Sequence, residues 1–182
     1  MEIDEKDNGK FQVVDATPDD VEGISNLLSE TWLATYPNEE AGITKEDIIA
    51  RFSSPEVRSN TEERKKTVNS KPSEHTWVIR DGEIVVGMAA GVKEADKGWV
   101  QALYVSPVYQ GQGLGKKLLR TGMEWLGNEK PIFIHAASYN INAINFYKSF
   151  GFIETGIPVK SSVAPLPSGV MIPEIELRRD VI

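Results

Sequence analysis

Residues 102–119 read ALYVSPVYQGQGLGKKLL. Its first four residues alternate as a strand does, and Pro107 breaks any ladder just beyond them. Gly111, Gly113 and Gly115 then fall on alternate positions, and an amphipathic run follows. The order is strand, sharp turn, helix, with Gly113 to Lys116 expected as the first helical turn. Such a turn points unpaired N–H groups and the positive end of a helix at one spot, with no side chain obstructing an anion as bulky as a pyrophosphate. The other reading is that the glycines only turn the chain, with Lys116 and Lys117 on a solvated helix face. Glycine content alone favours that plainer reading. The familiar nucleotide loops fail on spacing. A Walker loop needs four residues between Gly and Gly-Lys-Ser/Thr, and the residue that would be the third glycine of GxGxxG is Lys116.

Outward from this stretch, strands and helices alternate. FQVVDA (Phe11 to Ala16) reads as a short strand. Thr17 is the expected N-cap of a helix running to about Leu33, with Pro18 at its first position and acids in its first turn. Thr44 with Asp47 three residues on is a capping pattern before EDIIARF. SSPEVRSNTEERKKTVNSK is charged, helical in part and exposed. HTWVIRDGEIVVGMAAGV reads as a hairpin turning at Asp81-Gly82, and GWVQALYV continues it as a third antiparallel strand. Behind the glycines, Leu114, Leu118, Gly122 and Trp125, flanked by Leu119 and Leu126, share one helix face that Gly127 is placed to end. PIFIHAAS is a buried strand, NAINFYKSF a short helix stopped by Gly151, FIETG another strand, and MIPEIELRRD the last one.

Composition excludes several classes. At 182 residues the chain suits one domain, 1–182, with residues 1–10 expected as a flexible N-terminus. Hydrophobic residues make up 40% and charged residues 26%, and no apolar run approaches the roughly 20 residues that span a bilayer. The polar, acidic start MEIDEKDNGK is the reverse of a secretory leader. With no cysteine, disulfides, thiolate zinc sites and cysteine nucleophiles are out, and the expected location is cytoplasmic. The formal charge of -7 argues against nucleic-acid binding and mildly favours cationic partners.

ALYVSPVYQGQGLGKKLL resembles the acyl-CoA-binding motif of the GCN5-related N-acetyltransferases, the GNAT family. That motif is an LxV-type strand end, a proline turn, an aromatic, and Q/R-x-x-G-x-G/A, matched here by Gln110, Gly113 and Gly115. A second signature, N-x-x-A-x-x-x-Y-x-x-x-G-F, is matched by Asn140, Ala143, Tyr147, Gly151 and Phe152. Strong matches cover residues 99–152, and the element order is similar from Phe11 to Arg178. The resemblance implies an α/β fold of the α+β type: a mostly antiparallel seven-stranded sheet with a central splay and helices on both faces. It implies acetyl-CoA as cosubstrate, no metal, and direct attack by a primary amine without a covalent enzyme intermediate. The acceptor is expected to be a small molecule such as an amino compound or polyamine. Alternatives are a protein N-terminus or lysine, or a non-catalytic acyl-CoA sensor. Dimers are common in the family, and the sequence leaves oligomeric state open.

The same resemblance distributes roles. Main-chain groups of Leu103, Tyr104 and Val105 would be freed at the splay to pair with the pantetheine arm and the acyl carbonyl. Gln110, Gly111, Gln112, Gly113, Leu114, Gly115 and Lys116 would surround the pyrophosphate, and Asn140 and Ala143 would meet the arm. Tyr147 would face the sulfur and donate a hydrogen bond or proton to the leaving thiolate. Plainer roles stand beside these. Ala143, Tyr147 and Phe150 share a helical face that suits a core, and Asn140 suits a helix N-cap.

No base is evident on the strand before the glycines, which offers Trp99 and Gln101. Gln101 could hold a water, and His135 is the one imidazole placed near the expected splay, although a structural role suits it better. His75 has nothing to recommend it. Family acceptor sites draw on SETWLATYPNEEAGITKED and GIPVKSSVAPLPSG, where Trp32 and Tyr36 could form an aromatic wall, Glu39 and Glu40 attract a cation, and Pro165 and Pro167 shape one side. Trp32 as core and the two glutamates as a solvated turn are the readings that sequence alone favours.

Overall fold

Gly82, held at a φ of 61°, turns a two-residue loop that sets Asp81 opposite Ile84 and starts the central antiparallel pair. The computed structural model describes residues 11–159 and 164–181. The expected flexible segment 1–10 lies outside them. In chain order the elements are β1 (Val14–Asp15), α1 (Asp20–Thr35), α2 (Lys45–Ser53), α3 (Pro55–Thr67), β2 (Glu74–Asp81), β3 (Ile84–Lys93) and β4 (Gly98–Val105). A 3-10 turn (Pro107–Tyr109) leads to α4 (Leu114–Leu126), then β5 (Ile132–Ala137), α5 (Ile141–Lys148), β6 (Ile153–Glu154) and β7 (Glu174–Arg179). The strands form one seven-stranded sheet in the order β1-β2-β3-β4-β5-β7-β6, antiparallel throughout except for β4 beside β5.

That parallel junction is short. Only Gly98↔Ile132 and Trp99↔Phe133 pair, and from Val100 onward β4 and β5 part. On its other edge β4 stays laddered to β3, with a bulge at Gln101 between the pairs Gly91↔Val100 and Ala90↔Ala102. A bulge of this kind bends and overtwists the strand that carries it, which helps β4 swing away from β5.

Strand alternation sends neighbouring residues to opposite layers. Val78, Met88, Ala90, Ala102 and Tyr104 meet Ile24 and Leu27 of α1 on one face. Trp77, Ile79, Val86 and Ala89 meet Leu114 and Leu118 of α4 on the other. Leu119 joins Ile144 and Tyr147 of α5 over Val100, Ile132, Ile134 and Leu177 on that second face. Burying each such leucine stabilises the fold by about 1.5–3 kcal/mol. The helix lies close because Gly87 has no side chain: a Cβ there would stand 3.1 Å from Leu118 Cδ1.

The helix starts follow local chemistry with one exception. Thr44 and Asp47 form the reciprocal capping box that opens α2, and Gly127 at a φ of 85° closes α4. Thr17, however, does not cap α1 and Pro18 is not its first residue; the helix begins at Asp20. The Asp20 carboxylate takes the Thr17 N–H and hydroxyl, each at 2.8 Å, and the Arg80 guanidinium of β2 in bidentate fashion. A carboxylate only accepts, so the Thr17 hydroxyl donates to it, and the Asp20 N–H goes to the Thr17 main-chain carbonyl at 3.0 Å rather than to that hydroxyl. The expected strands at 11–16 and 152–156 shorten to two residues each, both being edges of the sheet.

Burial pushes the Asp20 carboxyl up, but the hydrogen bonds from Arg80 and Thr17 outweigh it and hold the group below its ordinary value. Its stabilising contribution is therefore complete above the unfolded carboxyl pKa near 3.9 and fades as pH falls through the lower folded value. Asp20→Asn is expected to cost about 1–3 kcal/mol in urea unfolding at pH 7, with the gap narrowing below about pH 4. An equal gap at pH 7 and pH 2.5 would contradict the assignment.

Candidate functional site

Where β4 and β5 part, a cleft of 2250 Å³ opens between them and runs past the glycine turn to the start of α5. One wall is the free edge of β4. The Ser106 N–H donates to the Val86 carbonyl at 2.9 Å, so by the alternation of an antiparallel ladder the N–H and C=O groups of Leu103 and Val105 turn away from β3, toward the cleft. Tyr104, paired with Met88, spends its main-chain groups on β3. That corrects the expectation that its backbone is freed; Tyr104 contributes its side chain instead.

The second wall is the turn. After Pro107–Tyr109, Gln110 folds back and its Nε2 donates to the Val105 carbonyl at 3.1 Å, while the Tyr109 hydroxyl donates to Asp81 at 3.0 Å. Gly111 and Gly113 hold φ of 77° and 81°, the left-handed region that other residues enter at a cost. A Cβ at either would meet nothing within 4 Å. Gly113 caps α4, whose first intrahelical bond is the Lys117 N–H to the Gly113 carbonyl, so the preceding N–H groups have no helical acceptor. Gln112, Gly115, Lys116 and Arg120 line the same space. Leu114 reaches it only at the rim, its side chain being core. Lys117 donates from Nζ to the Phe11 carbonyl at 2.8 Å, which ties this end of α4 to the segment before β1.

The third wall is the start of α5. The Asn140 side chain accepts from the Ala143 N–H at 3.2 Å, so it is a helix cap that also lines the cleft, together with Ala143 and Tyr147. Tyr147 is 6% exposed. Burial first, and Tyr104 second, push its phenol well above the ordinary value. The shift favours the protonated, hydrogen-donating phenol.

At the far end stand three more tyrosines. The Tyr36 and Tyr104 hydroxyls lie 3.2 Å apart, and the Tyr139 hydroxyl donates to the Tyr36 carbonyl at 2.8 Å. Burial raises all three, Tyr139 to about 12. Trp32 does not form a wall. It is buried behind Tyr36, ring centroids 4.6 Å apart, with the Arg51 guanidinium 4.9 Å above it. Glu39 and Glu40 are exposed in the loop before α2 and do not line the cleft, and Leu166 anchors the proline-bearing loop in the Trp32 cluster. Residues 160–163 of that loop lie outside the described residues. Gln101 and His135 both face the cleft; His75 is elsewhere, paired with Asp15 at 2.9 Å. Sequence reasoning missed Tyr139 and Arg120. The first follows the C-terminal end of a central strand, where sites gather, and the second is one helical turn beyond Lys116, so position alone could have suggested both.

A model of the acetyltransferase (GNAT) family matches residues 24–152, most of the chain. The chain belongs to the GNAT family. It is similar to N-acetyltransferase 8B of Rattus norvegicus, 34% identical over 88 residues, 44% of this chain and 40% of that one. It is also similar to the spermine/spermidine N(1)-acetyltransferase of Bacillus subtilis (strain 168), 37% identical over 57 residues, 30% of this chain and 38% of the relative. Each match thus spans about two fifths of the relative's length. Among solved structures, the PaiA N-acetyltransferase of Thermoplasma acidophilum in complex with coenzyme A superposes with a TM-score of 0.65 at 15% identity, covering 93% of this chain and 98% of that chain. At that identity it shows the fold alone: this chain has the GNAT fold, splay included.

For this GNAT chain the glycine turn sets a cost in stability. Gly113→Ala forces a Cβ into the left-handed region with no clash to relieve, a loss of roughly 1–2 kcal/mol. Thermal unfolding is expected about 3–6 °C lower. An unchanged Tm would show that the turn does not hold this conformation.

Proposed function

We propose that the protein transfers the acetyl group of acetyl-CoA to a primary amine, most simply a small cationic amine such as a polyamine. The observation that carries this reading is the continuity of one segment, 103–116. A strand edge with outward amides at Leu103 and Val105 runs directly into a left-handed glycine turn and the open N-terminus of α4. Coenzyme A needs that sequence of partners: amide-pairing edge for the pantetheine arm, backbone donors for the pyrophosphate. Lys116 and Arg120 add positive charge beside the turn.

The residues present fit the cosubstrate. Gly111, Gly113 and Gly115 keep the approach free of side chains, and a Cβ on Gly115 would come only to 3.6 Å from Phe146. An outward N–H of Leu103 or Val105 is placed to stabilise a thioester oxyanion, an effect worth a few kcal/mol in comparable sites. Tyr147, protonated throughout, donates to the departing sulfur. The tyrosine-lined end supports an amine whose carbon chain lies against aromatic rings, and the likeness to a spermine/spermidine acetyltransferase points the same way. An overall charge of -7 draws cations toward the molecule.

The test is thiol release from acetyl-CoA with a panel of spermidine, spermine, aminoglycoside and alanyl-peptide acceptors. Turnover of the polyamines above the peptide is expected; peptide preference would move the acceptor to a protein N-terminus, and CoA binding without any turnover would leave a sensor. Gly115→Leu should weaken CoA binding at least tenfold by calorimetry while the protein stays folded. Tyr147→Phe should lower kcat about 10²-fold with CoA affinity unchanged. If kcat does not move, water protonates the sulfur.

A further inference from the structure

The cleft has two ends of different chemistry. Lys116, Lys117 and Arg120 of α4 line it beside the glycine turn, and Tyr36, Tyr104 and Tyr139 line it where α1 meets the ends of β4 and β5. The chain holds 27 aspartates and glutamates, yet among the described residues none lines the cleft, so a cation inside it finds no carboxylate to pair with. Nor do the three phenols offer much hydrogen bonding. The Tyr139 hydroxyl is spent on the Tyr36 carbonyl at 2.8 Å, and one of the Tyr36 and Tyr104 hydroxyls donates to the other at 3.2 Å. All three residues are half-buried, and what remains for a ligand to meet is mainly aromatic carbon.

Charge around the rings favours a cation without binding it directly. Glu176 is turned to His135, directly opposite on β5, at 3.4 Å, and Glu174 lies opposite Ala137; both belong to β7 and neither lines the cleft. Arg51 stands behind Trp32, 4.9 Å over its ring, with Nη1 donating to the Ala164 carbonyl at 3.3 Å. At Tyr104 the Glu174 charge outweighs that of Arg51, and Tyr36 feels Glu174 as well. Lys116 and Arg120 repel a cation from the glycine-turn end. A neutral phenol ring, negative on its faces, attracts a cation that it does not hydrogen-bond.

Resting on the acetyl-transfer reading, we propose that Tyr36, Tyr104 and Tyr139 form an aromatic subsite for a second, non-reacting ammonium of the acceptor. The reacting nitrogen has to come within about 3–3.5 Å of the acyl carbon, at the strand edge where the amides of Leu103 and Val105 face the cleft. The rings stand beyond that edge, so the other end of the acceptor is the part that reaches them. The acceptor class is then a dication: a primary amine joined through a short carbon chain to an ammonium of any degree of substitution. Recognition by ring faces differs from recognition by carboxylates in one measurable respect. A carboxylate loses its hydrogen bonds when the ammonium is methylated, whereas an aromatic surface keeps its attraction for a quaternary centre.

The experiment compares kcat/KM with acetyl-CoA, corrected for the free-amine fraction of each acceptor, across putrescine, (aminobutyl)trimethylammonium, the uncharged tert-butyl isostere of the latter, and butylamine. The trimethylated amine is expected within about threefold of putrescine, and the isostere and butylamine about tenfold below both. Tyr139→Leu should lower the value for the trimethylated amine about fivefold while leaving that of the isostere in place, and Tyr139→Phe, which keeps the ring, should restore it. Calorimetric CoA binding checks that each variant is folded; should Tyr139→Leu fail, the acceptor series on wild type decides alone. Trimethylation that costs about tenfold or more, or an isostere equal to its charged counterpart, overturns the subsite and leaves acetyl transfer standing. Butyltrimethylammonium has no amine to acetylate, so its calorimetric binding reads the subsite without turnover. If no amine is acetylated but this cation binds, and binds less well to Tyr139→Leu, acetyl transfer is overturned and the subsite stands; if neither occurs, both fall.

Discussion

Everything functional in this molecule depends on two strands that stop pairing. β4 and β5 share two rungs and then diverge, although each remains bonded to its other neighbour. A parallel pair is normally sealed by its ladder, and each buried amide left without a partner costs on the order of 1–3 kcal/mol. The gap is tolerable because it is filled from one side and open on the other. Leu119, Ile144 and Tyr147 pack beneath it with Ile134 and Ala136, while one freed acceptor, the Val105 carbonyl, is met by Gln110. Stability is given up locally in return for an amide edge that a ligand can complete.

The glycine turn follows from the same geometry. A strand that ends at a cleft must hand the chain to a helix whose first N–H groups face that cleft, and within seven residues only left-handed steps reverse it tightly enough. Gly111 and Gly113 supply those steps. The strand edge and the helix terminus are therefore neighbours in sequence as well as in space, which puts an outward amide edge and a set of open helical N–H groups on one short segment. α4 is held in place by Leu114 and Leu118 against β2 and β3, so the turn is carried by rigid elements rather than by a loop.

What could be read in the sequence was what local chemistry decides. The Thr44–Asp47 box, the Asp81-Gly82 hairpin and the apolar face of α4 each need only a few neighbouring residues, and each is present. The Thr17 cap failed because its hydroxyl turns to the Asp20 carboxylate, which Arg80 holds from sixty residues away. Trp32 could be wall or core from its helical position alone, and only the packing of Ile43, Leu166 and Ile172 around it decides for core. Glu176 carried no signal as a partner of His135, because the register of β5 on β7 spans an intervening helix, an edge strand and a long loop. The two motifs of the resemblance located the cleft, and cross-strand pairing filled it.

The four tyrosines of the cleft bear on how protons move there. Tyr36, Tyr104, Tyr139 and Tyr147 are each pushed upward by burial, which favours the neutral phenol in all four. A neutral phenol can hold a sulfur or a water but cannot take a proton from an ammonium. The same low-polarity environment that keeps Tyr147 protonated thus removes its neighbours from consideration as bases, and no carboxylate stands on β4 to serve instead. The buried phenol of Tyr147 and the imidazole of His135 stand on opposite faces of the splay. Tyr147 stands on the side of α4 and α5, and the imidazole stands on the side of α1 and α2, where Tyr36 and Tyr104 meet. A ligand lying between the parted strands would meet the phenol on one face and the imidazole on the other.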